Sequence, residues 1–134
     1  MKIRRVGIIM NGVTGRMGKN QHLLRSIVEI IKQGGVKLSD HETIMPDPVV
    51  LVGRNEAKLK ALSELSGVEK YTTDLESVIN DPAYEIYFDA QTTGRRAEAV
   101  TLAASKGKHV YCEKPTASDF KTAMNLYDFC EKAG

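Results

Sequence analysis

The feature that most constrains this chain is an apolar run that breaks into regularly spaced glycines and then into helical periodicity. Residues 3–10 end in nearly continuous apolar side chains, as a strand covered on both faces of a parallel sheet must. Gly12, Gly15 and Gly18 follow. Leu24, Ile27, Val28 and Ile31 then recur at helical spacing, up to Gly34 and Gly35. Strand, glycine turn and helix in that order open a βα unit.

The alternation continues along the chain. Residues 36–48 contain Asp, Ser and two prolines after a glycine pair and read as a loop inserted before a strand at 49–52. A helix is expected over 55–66, with Asn55 as its N-cap. A short strand at 70–72 comes next, then a short helix capped by Asp74 that ends before Asp81-Pro82. A strand at 84–90 precedes an alanine-rich helix at 95–106, closed by Gly107. The last strand is 109–112, and Ser118 is the expected cap of a final helix over 119–132. Five strands alternating with five helices predict an α/β chain: a three-layer Rossmann fold with a mainly parallel, doubly wound sheet of about five strands. At 134 residues this is one domain. A doubly wound dinucleotide fold usually adds a sixth strand where this chain stops, so residues 1–134 are expected to be a truncated nucleotide-binding domain.

Chemistry explains the glycines. A pyrophosphate held by backbone N–H groups needs their approach free of side chains. In Asn11-Gly12-Val13-Thr14-Gly15-Arg16-Met17-Gly18, Gly12 supplies the tight turn, Gly15 the opening to phosphate, and Gly18 close helix–strand packing. The first helix then offers its N-terminus to the anion, with Thr14, Arg16 and Met17 beside it. At the end of the second strand, an NAD site wants a carboxylate for the ribose hydroxyls, whereas an NADP site wants a cation for the 2′-phosphate. Here stand Arg54 and Asn55, with Lys58 one turn on, so NADP(H) is favoured over NAD(H). Gly12 and Arg54 are about twice the usual ~20 residues apart, which the long first helix and the 36–48 insertion explain.

Gly107-Lys108-His109-Val110-Tyr111-Cys112-Glu113-Lys114-Pro115 closely resembles the G-K-H-V-x-x-E-K-P signature of the glucose-fructose oxidoreductase / inositol dehydrogenase (Gfo/Idh/MocA) family, and the resemblance runs over essentially the whole chain. It implies a two-domain oxidoreductase whose nucleotide-binding half is this chain and whose C-terminal substrate domain is absent from it. By the resemblance, Lys114 sits by the nicotinamide and the reacting hydroxyl or carbonyl, where a lysine can donate a proton as hydride moves. Pro115 shapes that turn, where a cis bond is open to it. Glu113 orients backbone or ribose, or is solvated. Thr92 and Thr93 stand where the family has a Thr-Pro-Asn-like stretch lining the nicotinamide ribose. Arg95 and Arg96 either reach phosphate or substrate or start a solvated helix, and the solvated helix start is the favoured reading.

The implied reaction is hydride transfer with a sugar, polyol or related small metabolite, in a homo-oligomer. Two alternatives fit the glycine loop. One is a short-chain or dihydrodipicolinate-type reductase, although no Tyr-x-x-x-Lys pair is present. The other is a regulatory or dimerisation module without catalysis.

A net charge of +2 without single-sign runs gives no case for nucleic-acid or membrane-surface binding. No stretch approaches the ~20 apolar residues of a membrane span. The apolar run at 6–10 is too short for a signal peptide. Cys112 and Cys130 lack metal-ligand spacing, and two thiols make no disulfide framework, so a reducing cytoplasm is expected. No metal ligand is assigned among His22, His41 and His109.

Overall fold

The computed structural model describes residues 1–134. The expected strand, glycine turn and helix open the fold as β1 (Lys2–Asn11) and a helix. That helix is wound with π-type geometry over Gly18–Ile27 and continues as α1 (Val28–Lys32). Side-chain spacings of three and four residues do not encode this wider winding. The remaining elements are β2 (Val36–Ser39), β3 (Glu42–Val52), α2 (Glu56–Ser66), β4 (Lys70–Thr72), α3 (Glu76–Ile79), β5 (Tyr84–Asp89), α4 (Thr93–Ser105), β6 (His109–Cys112) and α5 (Phe120–Ala133).

The strands form one sheet in the order β2-β3-β1-β5-β6, with β4 also on β3. All pairings are parallel except β2 with β3. Neighbouring residues in the central strands serve opposite faces, as a pleated strand dictates. Ile8, Met10, Val49 and Leu51 pack with Leu23, Leu59 and Leu62 beneath the first helix and α2. Ile9, Val50 and Val52 pack with Ile79, Val100, Ala103 and Leu126 beneath α3, α4 and α5. Helices cover both faces, which gives the three expected layers.

Residues 36–48 are not a loop. They hold β2 and the first half of a long β3, joined by a turn at Asp40 and His41. Pro46 and Pro48 hide this strand, because proline cannot donate to a ladder. The sheet accommodates them in two ways. On one edge β3 bonds to β2 only near residues 42–44 and to β4 only at 50–52, so the proline stretch has no strand there. On the other edge its register with β1 shifts between Val6 and Ile8, a bulge that absorbs an extra residue. The Asp47–Pro48 peptide is cis.

The helices α2 to α5 start within two residues of their expected positions. Asn55 caps α2 as expected, its side-chain oxygen accepting the Lys58 N–H at 3.0 Å. The Asp74 carboxylate accepts the N–H of Glu76 at 3.0 Å. The cap of α5, however, is Asp119 and not Ser118: its carboxylate accepts the Thr122 N–H at 2.8 Å. Helix α4 starts at Thr93, two residues before the expected position.

Candidate functional site

The site residues gather at the carboxyl edge of the sheet, where open α/β sheets bind ligands. Gly12 leaves β1 with φ +79°, and its N–H donates to the Val52 carbonyl at 3.1 Å. A Cβ on Gly12 would lie 2.4 Å from the Gln91 backbone nitrogen. A Cβ on Gly18 would lie 2.7 Å from the Gly12 carbonyl oxygen and 2.9 Å from the Val13 Cα. Both glycines are therefore fixed by packing. Gly15 differs, since its nearest neighbour to an added Cβ is the Gly12 oxygen at 3.5 Å, an ordinary contact. A methyl group fits there without displacing a neighbour. The N–H groups of Val13, Thr14, Arg16 and Met17 have no acceptor within the chain. Gly15 and these unused donors form a cradle suited to a phosphate.

Val52 pairs with Asn11 in the parallel ladder, so Arg54 stands next to the glycine turn despite the separation in sequence. Its side chain is exposed and lines a cleft of about 360 Å³ with Asn11, Gly53, Asp74, Gln91 and Arg95. Lys58 lines a different cleft, with Thr14 and Lys19. Arg54 and Lys58 are thus not brought into one pocket. The Asn55 oxygen is committed to the helix cap. Thr92 and Thr93 begin α4, and neither hydroxyl has a partner in the chain.

Beyond β6, the Glu113 N–H donates to the Asp89 carbonyl at 2.9 Å, which ties the Glu-Lys-Pro turn to the end of β5. The Lys114–Pro115 peptide is cis. The Lys114 side chain is exposed at that edge. Glu113 is not simply solvated: its Oε1 lies 2.5 Å from His22 Nε2 on the first helix. The His22 ring lies against Phe88, centroids 4.7 Å apart. This contact links the phosphate-loop helix to the Glu-Lys-Pro turn.

The hydrogen bond from His22 holds the Glu113 carboxyl below its usual range. A depressed carboxylate stabilises the fold above its unfolded value of about 4.3 and loses that contribution as pH falls through its folded value. In His22→Ala the Glu113 carboxyl is expected to titrate higher than in the parent. Carbon-13 titration of that carboxyl checks this, and an unchanged value would contradict it.

The largest correction concerns Arg96, which is 2% exposed and not solvated. Its Nε donates to Asp89 Oδ1 at 3.3 Å and its Nη2 to the Gln91 carbonyl at 2.8 Å. Its Nη1 donates to the Pro115 carbonyl. Asp89 is fully buried and also accepts from the Tyr87 hydroxyl at 2.6 Å and from the Gln91 side chain at 2.9 Å. Burial first, and then the Asp89 carboxylate, raise the Tyr87 phenol far above its ordinary range, so it stays a donor. Sequence reasoning missed this network, although a signal existed. Arg96, Ala99, Val100 and Ala103 share the helical spacing of the buried face of α4. By contrast, Arg95 is exposed. Burial raises the Cys112 thiol, which keeps it protonated.

A family model described as an oxidoreductase family with an NAD-binding Rossmann fold, Gfo/Idh/MocA, matches residues 5–134. The chain belongs to that family. It is an NAD(P)-binding Rossmann domain, and membership sets aside the short-chain and dihydrodipicolinate-type readings. A D-xylose dehydrogenase of Paenarthrobacter nicotinovorans is 47% identical over 129 residues, 96% of this chain and 33% of the relative. The D-xylose 1-dehydrogenase (NADP(+)) 2 of Haloferax volcanii is 33% identical over 74% of this chain and 29% of the relative. Among solved structures, levoglucosan dehydrogenase in complex with NADH and levoglucosan superposes with a TM-score of 0.76 at 26% identity. It covers 98% of this chain and 33% of that protein. The chain spans about a third of the length of the relatives it matches. No helix is long and apolar enough to cross a membrane.

Proposed function

We propose that this chain is the cofactor-binding part of an NADP(H)-dependent oxidoreductase that moves hydride to or from a hydroxyl or carbonyl carbon of a sugar, polyol or related small metabolite. The observation that carries this reading is the glycine cradle. Its N–H groups are free, Gly15 is the one of its glycines where a Cβ would meet no clash, and Arg54 stands beside it. Kinship with dehydrogenases named for xylose and levoglucosan supports the substrate class.

Each residue has a task in this reading. Gly12 and Gly18 set the turn, and Gly15 with Thr14, Arg16 and Met17 bounds the pyrophosphate. Arg54 meets the 2′-phosphate, with Asn55 and Lys58 near the adenosine end. Thr92, Thr93 and Glu113 border the nicotinamide end. When bound, the nicotinamide supplies the hydride chemistry. Lys114 holds a proton at Nζ and exchanges it with the substrate oxygen. These 134 residues span about a third of the relatives they match, and as a free chain they are expected to bind cofactor without turnover. We assign the whole enzyme to a homo-oligomer in the cytoplasm.

Parallel titration of the chain with NADPH and NADH, by fluorescence or calorimetry, tests the reading. A charge-assisted bond contributes about 1.5–3 kcal/mol, so NADPH is expected to bind roughly tenfold to a hundredfold tighter. Arg54→Asp is expected to reverse the order. Equal binding, or an order untouched by Arg54→Asp, overturns the NADP assignment, and absence of both bindings overturns the cofactor role. In the whole enzyme, Lys114→Ala is expected to lower kcat by about 10²–10⁴. A kcat within a factor of three of the parent would exclude Lys114 as the proton donor.

A further inference from the structure

We infer that Arg96 is a positioning residue for Lys114, pinning the turn that carries it to the end of β5; this rests on the reading of Lys114 as the reacting lysine. Arg96 lies in the first turn of α4 and is 2% exposed. A buried cation at a helix N-terminus is disfavoured by desolvation and by the helix dipole. Its location therefore needs an offset, and the offset is specific. The planar guanidinium reaches three acceptors on two stretches of chain: the Asp89 carboxylate at the end of β5 and the Gln91 carbonyl just beyond it, and, across from them, the Pro115 carbonyl. A fork of fixed shape with three bonds fixes the third acceptor relative to the other two.

The third acceptor is the useful one. Residues 113–119 form no regular element, and Pro115 has no N–H with which to anchor itself. Lys114 is bracketed. The residue before it is held by the Asp89 carbonyl through its N–H and by His22 through its carboxylate. The residue after it is held by Arg96 alone. The Lys114 side chain itself has no partner, so its location follows from these two fastenings. Stability by itself does not require such a device, because a buried ion pair can often be exchanged for apolar residues at no loss. An aliphatic side chain at position 96 would fill the space but would not grip a carbonyl on a neighbouring turn.

Arg96→Lys tests this, because it keeps the charge but cannot span three acceptors. The first readout is amide exchange at Glu113 and Lys114, whose N–H groups are bonded in the turn, compared with Ile9 and Leu51 in the core. Exchange in the turn is expected to rise about tenfold while the core changes little. The second readout is acetylation of Lys114 relative to the exposed Lys60, with and without NADPH. NADPH is expected to slow Lys114 acetylation about tenfold in the parent and less than threefold in Arg96→Lys, with Kd for NADPH changed less than threefold. Turn exchange and NADPH protection both at parental levels would overturn the inference. A parent that binds no NADPH sinks the cofactor reading, and the exchange measurement then still decides whether Arg96 pins the turn. Should Arg96→Lys fail to fold, Asp89→Asn keeps the carbonyl bonds and weakens the anchor; the same turn-restricted rise is expected, and its absence rejects the inference.

Discussion

Arg96→Leu is expected to destabilise the chain by about 3–5 kcal/mol, since it strands a carboxylate that has no access to water. Asp89 is fully buried and Arg96 is its only cationic partner. The Tyr87 hydroxyl and the Gln91 amides would remain as donors, but dipoles replace a lost charge only in part. The Pro115 and Gln91 carbonyls would lose their donors at the same time. For a domain of this size the loss corresponds to a melting temperature lower by roughly 10 °C or more. Replacing the neighbouring Arg95, which is exposed, is expected to change stability by less than about 0.5 kcal/mol. Thermal melts of the two variants side by side check the contrast. Equal melting temperatures would mean that Arg96 is no more than a helix-start arginine.

The second large effect separates folding from binding within the glycine loop. Gly12→Ala forces a side chain into left-handed backbone, a conformation costing about 1–2 kcal/mol. It also drives a Cβ to 2.4 Å from backbone that cannot swing aside. Loss of both stability and cofactor binding is expected. Gly15→Ala meets no such obstacle, as its nearest contact would be 3.5 Å. Its melting temperature is expected to stay within about 3 °C of the parent, because its cost stays near that of an ordinary surface change. Its affinity for NADPH is expected to fall at least tenfold, since the methyl occupies the approach to the free N–H groups. A Gly15→Ala chain that binds NADPH as the parent does would place the phosphate elsewhere.

Sequence alone determined the glycine loop, the parallel strands and the three layers. Each depends on local information: apolar runs, helical spacing, and residues that permit a turn. It also identified the family through Glu-Lys-Pro. Three things were decided only by tertiary structure. The β2–β3 hairpin was hidden because prolines look like breakers until the sheet shows an edge without a partner and a bulge to absorb them. The adjacency of Arg54 to Gly12 follows from the pairing of Val52 with Asn11, not from distance along the chain. The Arg96–Asp89 network and the His22–Glu113 contact join residues from separate elements. Periodicity places Arg96 on the inner face of α4, but it does not say what waits there. A charged residue on a buried face is tolerated only with a partner, and partners distant in sequence become neighbours only once the strands and helices have packed.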